Sequence, residues 1–176
     1  MNLIQEDNFF PNLNLILPEI KKIILYSQEE IRQIDKYNKN ATWPGYRSLS
    51  LTETNPILHD YVCYLMNANN LLERGRWIIA SFVHLRLHED ENKDWIHCDN
   101  NELAGLIYLS NTNLNSGTYL YDDNDNMIND IKFIKNRFIM YRGTMKHKAY
   151  GHHGSSIDDG RLTLNLFIKQ AVDKIK

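Results

Sequence analysis

After Gly75 the residue pattern of this chain switches from helical to extended and does not switch back. Between Arg76 and His88 the apolar residues Val83, Leu85 and Leu87 alternate with His84, Arg86 and His88. That period of two belongs to a strand with one face against a core. Further extended stretches follow at Glu102–Leu109, Thr118–Tyr121, Ile128–Ile134, Arg137–Tyr141 and Arg161–Lys169. Their connections are short and hold no helical crossover. The simplest arrangement is therefore antiparallel, closed into a jelly roll whose lumen can host a small-molecule site.

The segment before Gly75 reads differently. Leu3 to Phe10 fits a short first strand ended by Pro11. Ser27-Gln28-Glu29-Glu30 is a capping-box pattern, which predicts a helix from about Gln28 to Tyr37. Thr42-Trp43-Pro44-Gly45-Tyr46-Arg47 is a Pro-Gly turn flanked by aromatics, which fits a loop folded over a site but is expected as a packed surface turn. A second helix is predicted from Thr54 or Asn55, with Pro56 in its first turn and Leu58, Tyr61, Val62 and Leu65 on one face, fading near Asn69-Asn70. Two helices leading into a run of strands make an α+β fold. With 176 residues, 43% of them hydrophobic, the chain is expected to be one domain over 1–176, with a helical part over about 1–75 packed on one side of a jelly roll over about 76–170.

Composition narrows the partners. The formal net charge is -2 and no Lys/Arg run stands out, so sequence-independent binding to a nucleic-acid backbone is not indicated. No apolar run approaches membrane-spanning length, and Met1 to Asp7 lacks the basic and apolar regions of a leader. Cys63 and Cys98 do not form a disulfide framework, which favours a reducing compartment. The expected location is the cytoplasm.

Chemistry concentrates in Trp95-Ile96-His97-Cys98-Asp99. In an extended segment His97 and Asp99 point one way and Cys98 the other. A distant histidine joining that pair would give two imidazoles and one carboxylate, a set that leaves one face of an octahedral metal open and suits non-haem Fe(II). Met145-Lys146-His147 supplies such a histidine, with His152 and His153 of a glycine-flanked, mobile loop in reserve. Asp122-Asp123-Asn124-Asp125-Asn126 resembles a calcium loop only at its start, because Met127 stands where the turn needs Gly and Phe133 where it needs Glu. It is expected to be a hairpin turn. The stripe His84, Arg86, His88 fits solvent exposure as well as it fits the lumen.

The His-x-Asp pair is followed by Leu103-Ala104-Gly105-Leu106-Ile107-Tyr108-Leu109-Ser110, Ser116-Gly117-Thr118, Asn136 to Gly143, His147, and Arg161-Leu162-Thr163-Leu164-Asn165-Leu166-Phe167. That order resembles the Fe(II)- and 2-oxoglutarate-dependent dioxygenase superfamily, particularly its small prolyl-hydroxylase-like members. The resemblance covers roughly Trp95 to Ile168. It implies that His97, Asp99 and His147 hold iron and that Arg161 pairs with the distal carboxylate of 2-oxoglutarate, for which a guanidinium fork is well shaped. It also implies hydroxyl contacts from Thr163, in an Arg-x-Ser-like pattern, and from Tyr108, in a Tyr-Leu-Ser segment. The implied reaction uses O2, converts 2-oxoglutarate to succinate and carbon dioxide, and hydroxylates a prolyl or other protein residue or a small molecule. Asp99 argues for hydroxylation, since the family's halogenases carry a small residue there. Two other classes stay open: a cupin-like metal enzyme that does not use 2-oxoglutarate, and a non-catalytic jelly-roll binding module.

Overall fold

The structure, a computed structural model, describes residues 3–35, 42–91, 93–151 and 153–171. In chain order these form β1 (Ile4–Glu6), α1 (Leu13–Ile20), β2 (Tyr26–Ser27), α2 (Gln28–Ile34), β3 (Tyr46–Arg47), α3 (Leu51–Thr54), α4 (Pro56–Ala68), β4 (Trp77–Arg86), β5 (Leu103–Tyr108), β6 (Asn113–Tyr121), β7 (Met127–Phe133), β8 (Phe138–Arg142), β9 (Lys146–Gly151) and β10 (Arg161–Gln170). A single 3-10 turn at His88–Asp90 follows β4. Among these residues no helix is long and apolar enough to cross a membrane.

The two expected helices form for the expected reasons. Ser27 accepts the Glu30 amide while the Glu30 carboxylate accepts the Ser27 amide, closing the capping box at the start of α2. The helix stops at Ile34, because Asp35 is extended; the remainder of the expected helix, 36–37, lies outside the described residues. Asn55 caps α4 through the Leu58 amide and Pro56 occupies its first turn. Helix α1 went unread in the sequence because Pro18 sits inside it. Burial of Leu13 and Ile20 in the core outweighs the missing amide.

The strands form two antiparallel sheets, a major one in the order β1-β8-β5-β10-β4-β3-β2 and a minor one in the order β7-β6-β9. This is the mixed, jelly-roll architecture expected of the pattern. Side-chain alternation gives each face of the major sheet its own role. Val83 and Leu85 of β4, Leu103 and Ile107 of β5, Phe138 and Met140 of β8, and Leu162, Leu164, Leu166 and Ile168 of β10 pack with Leu58, Val62, Leu65 and Met66 of α4. The opposite face turns toward the minor sheet, where Ala104, Leu106, Tyr108, Ile139 and Tyr141 meet Leu120, Ile131 and Phe133. With both faces covered, β5 is buried at every residue, hence its unbroken apolar run.

Strand β9 was not foreseen, since Lys146, Lys148 and Gly151 give it little strand character; its pairing with β6 along six residues supplies the order that local sequence lacks. Beyond it, Gly154 accepts the His88 amide at 2.8 Å and donates its own amide to the Asp159 carbonyl, and the buried His153 donates its backbone N–H to Glu91; His152 lies outside the described residues. The Asp122–Asn126 segment is a hairpin turn, as expected, with Asp122 Oδ1 accepting the amides of Asn124 and Asn126.

Asn136, between β7 and β8, fastens the N-terminal segment to the sheet. Its side chain accepts the Phe10 amide and donates to the Phe10 carbonyl, each at 2.9 Å, and its backbone is left-handed at φ 66°. Asn136→Ala should cost about 2–4 kcal/mol, from the two buried bonds plus left-handed strain. Asn136→Gly should cost less, since glycine adopts that φ freely. Thermal unfolding should rank wild type above Gly above Ala; wild-type melting in the Gly variant would show that the Phe10 bonds do not hold the segment.

Candidate active site

The segment that carries His97 and Asp99 has no regular strand of its own. It is held by a single antiparallel bridge in which the His97 amide donates to the His147 carbonyl at 3.1 Å and the His147 amide donates to the His97 carbonyl at 2.8 Å. Residues directly opposite in such a pair share a face. His147 in turn faces Leu120 of β6, so both imidazoles point into the lumen. Two residues on, the Asp99 amide donates to the Gly143 carbonyl at 2.8 Å. A Cβ at Gly143 would overlap the Asn101 carbonyl, so this crossing needs glycine.

The three side chains converge as the sequence pattern predicted. One ligand atom from each of His97, Asp99 and His147 lies within 4.8 Å of the others, and the imidazole centroids are 4.3 Å apart. Each ring donates its Nδ1 proton to the carbonyl two residues back, Trp95 for His97 at 2.9 Å and Met145 for His147 at 3.0 Å. That bond fixes the tautomer and leaves Nε2 with a free lone pair. His147 Nε2 lies 3.7 Å from Asp99 Oδ2. Burial, reinforced by His97, holds the His147 pKa below its ordinary value, which favours the neutral ring. The donor set fits a divalent metal with an open coordination face. Of the reserve histidines, His153 is not part of this cluster and His152 lies outside the described residues.

Arg161 opens β10 on the same cavity, a space of about 420 Å³ between the sheets. It is 5% exposed, yet no carboxylate forms an ion pair with it among the described residues. Nη2 donates to Thr118 Oγ1 at 3.3 Å, and Nε is buried without a partner. Burial lowers its pKa, but a guanidinium stays charged. Arg86 Nε is likewise unpartnered, but Arg86 has Asp94; a buried cation without such a carboxylate is suited to receive an anion. Tyr108, fully buried, donates its hydroxyl to the same Thr118 oxygen at 2.8 Å. Thr163 is also fully buried, but its hydroxyl is engaged with Asn165 Oδ1 at 2.7 Å, and it does not line the cavity.

Several lining residues were not singled out in the sequence. Thr118 accepts from both Tyr108 and Arg161, which leaves its own proton to donate. His84 and Arg86, whose exposure the pattern left open, are buried and face the lumen, whereas His88 is exposed in the 3-10 turn. His84 donates from Nε2 to the Pro44 carbonyl, and burial holds its pKa well below the ordinary value, so it is neutral. Arg86 is paired with Asp94 at 3.0 Å, and Asp94 also accepts the Ala149 amide of β9. The Thr42–Arg47 turn, expected on the surface, lines the cavity through Trp43, Pro44 and Arg47. Two-residue strands such as β3 carry no periodicity by which this could be read.

No protein-family model matches the sequence, and no curated protein matches it. Solved structures do. A prolyl 4-hydroxylase from Phytophthora capsici matches 96% of this chain with a TM-score of 0.61 at 10% identity, this chain spanning 59% of its length. HygX from Streptomyces hygroscopicus, solved with nickel and 2-oxoglutarate bound, matches 96% of this chain and 83% of its own, with a TM-score of 0.66 at 10% identity. An oxidoreductase of the 2OG-Fe(II) oxygenase family from Burkholderia pseudomallei matches 96% and 84%, with a TM-score of 0.61 at 12% identity. The chain therefore has the fold of the 2OG-Fe(II) oxygenases.

Proposed function

We propose that this chain is an Fe(II)- and 2-oxoglutarate-dependent oxygenase that hydroxylates its substrate, with His97, Asp99 and His147 as metal ligands and Arg161 as the anchor of the cosubstrate's distal carboxylate. The observation that carries this reading is one cavity walled both by a His/Asp/His cluster and by a buried guanidinium that no carboxylate among the described residues neutralises. The nickel and 2-oxoglutarate bound to the similar HygX support the same pair of ligands. When bound, the metal and cosubstrate supply O2 activation coupled to release of succinate and carbon dioxide.

The chain's own residues hold and orient these groups. The Nδ1 bonds to Trp95 and Met145 aim both imidazoles. Thr118 holds the Arg161 fork and the Tyr108 hydroxyl in one hydrogen-bonded group, setting the direction from which a carboxylate is received. Leu106, Leu120, Ile131, Phe133 and Ile139 make the far side of the lumen apolar and keep water from it. A cupin-like enzyme without 2-oxoglutarate would leave Arg161 with no role. The substrate is a polypeptide residue, as for the Phytophthora hydroxylase, or a small molecule; the two thiols, neither in a disulfide, fit a cytoplasmic setting. Residues 1–176 act as one domain in this reading.

Removing one ligand tests the metal site. His97→Ala should abolish stoichiometric Fe(II) or Mn(II) binding in an anaerobic titration while the circular dichroism spectrum is kept, because His97 is held by one bridge outside the main sheets. Unchanged metal affinity would sink the assignment.

Arg161 tests the cosubstrate. Arg161→Ala removes a charge-assisted bidentate contact worth on the order of 2–5 kcal/mol, so 2-oxoglutarate affinity should fall by roughly 30-fold or more while the metal still binds. Arg161→Lys should recover part of the loss, since ammonium keeps the charge without the planar fork. Succinate formation across a 2-oxoglutarate series gives the comparison; equal half-saturation in all three proteins would bring the cupin-like reading forward.

A further inference from the structure

Among the described residues, the formal charges around the cavity do not cancel once the proposed metal and cosubstrate are added. Arg47, Arg86 and Arg161 stand on its wall against Asp94 and Asp99, and His84 is neutral. A divalent metal and the dianion of 2-oxoglutarate offset each other. Arg86 has Asp94, and in the reading above Arg161 has the distal carboxylate and Asp99 has the metal. The positive charge that remains is on Arg47.

Arg47 is built into the lumen. In the register of the major sheet it faces His84, which faces Thr163, which faces Tyr108, so the four lie in one row on the lumen side. Its guanidinium carbon stands 4.0 Å from the Trp43 ring centroid and 5.7 Å from those of Phe82 and Phe167. Its Nε is buried without a hydrogen-bond partner, as is the Trp43 indole N–H. Burial pushes its pKa down to about 10, and the acid whose field opposes this is Asp99, the carboxylate assigned to the metal. Stacking on aromatic rings recovers only part of what removing a charge from water costs, so the rings alone do not offset the desolvation of this cation.

We infer that Arg47, with the Trp43 indole N–H also at hand, is the recognition site for a single carboxylate of the substrate, whose apolar part lies against Phe82 and Phe167. The inference rests on the oxygenase reading, which supplies the other charges. A carboxylate fits better than a phosphate because one positive charge is left over, while a phosphate monoester brings about -1.5 to -2. The substrate is compact: the cavity, at about 420 Å³, lies toward the lower end of the roughly 300–1,000 Å³ of small-molecule sites and must hold the metal and cosubstrate as well.

The test uses the full chain loaded with Mn(II) and 2-oxoglutarate without oxygen, titrated calorimetrically with N-acetyl amino acids and their matching N-acetyl amides. In wild type, acids of fitting side chain should bind about tenfold tighter or more than their amides, the scale of a hydrogen bond to a charged group. Arg47→Gln should bring each pair within about twofold, and Arg47→Lys, which keeps a cation in place, should retain part of the preference. Affinity for 2-oxoglutarate, read in the same preparations, should fall in Arg161→Ala and not in Arg47→Gln. An absence of acid preference in wild type, a preference unchanged in Arg47→Gln, or a loss of 2-oxoglutarate affinity there equal to that of Arg161→Ala would overturn the inference. A wild-type protein that binds metal but no 2-oxoglutarate would instead remove the oxygenase reading on which it stands.

Discussion

Two backbone hydrogen bonds between His97 and His147 hold the proposed metal site together. They join residues 50 positions apart in the numbering, and nothing else in the 93–101 segment is regular strand. Being directly opposed, the two histidines have no choice of face: if one imidazole enters the lumen, so does the other. Asp99 follows from the same bridge, because it lies two residues beyond His97 and its amide is held by Gly143. The positions of all three proposed ligands thus rest on main-chain pairing. Rotamer choice is then restricted by the Nδ1 bonds to Trp95 and Met145, which also set the tautomers.

The bridge has meaning only because the major sheet is buried on both faces. Helix α4 and the Phe9-Phe10 segment cover one side with an apolar core, leaving the other free to carry polar groups into an interior space. There the lumen divides. The side formed by β5, β6, β7 and β8 is mainly apolar, with the Tyr108 and Thr118 hydroxyls as its polar groups, and the side formed by β3, β4 and β10 carries Arg47, His84, Arg86, Arg161 and Asn165. The guanidinium groups of the polar wall differ in their partners: Arg86 is neutralised by Asp94, Arg161 has no carboxylate partner among the described residues, and Arg47 stacks on Trp43 beside the turn that closes the wall without being neutralised there.

Much of this was legible in the chain itself. The alternation in β4 and β10, the capping box of α2 and the Asn55-Pro56 start of α4 are local signals, carried by residues within a turn or strand of one another, and the structure realises each. The His-x-Asp spacing works for the same reason, since the period of a strand is a property of the backbone. What remained hidden has no local signature. Helix α1 contains a proline and exists because Leu13 and Ile20 are buried; β9 is specified by its partner β6; β2 and β3 are two residues long.

The site shows the same division. Sequence alone put forward the candidate side chains, His97, Asp99, His147, Arg161, Tyr108 and Thr163, and placed them in a barrel of antiparallel strands. Only tertiary structure decided that Thr118 joins Tyr108 to Arg161, that Thr163 turns its hydroxyl to Asn165, and that Arg47 and Trp43 form part of the wall instead of a surface turn. These are questions of which partner a buried polar group finds. The answer depends on residues brought together from distant elements, and on whether water is left between them, neither of which spacing along the chain records.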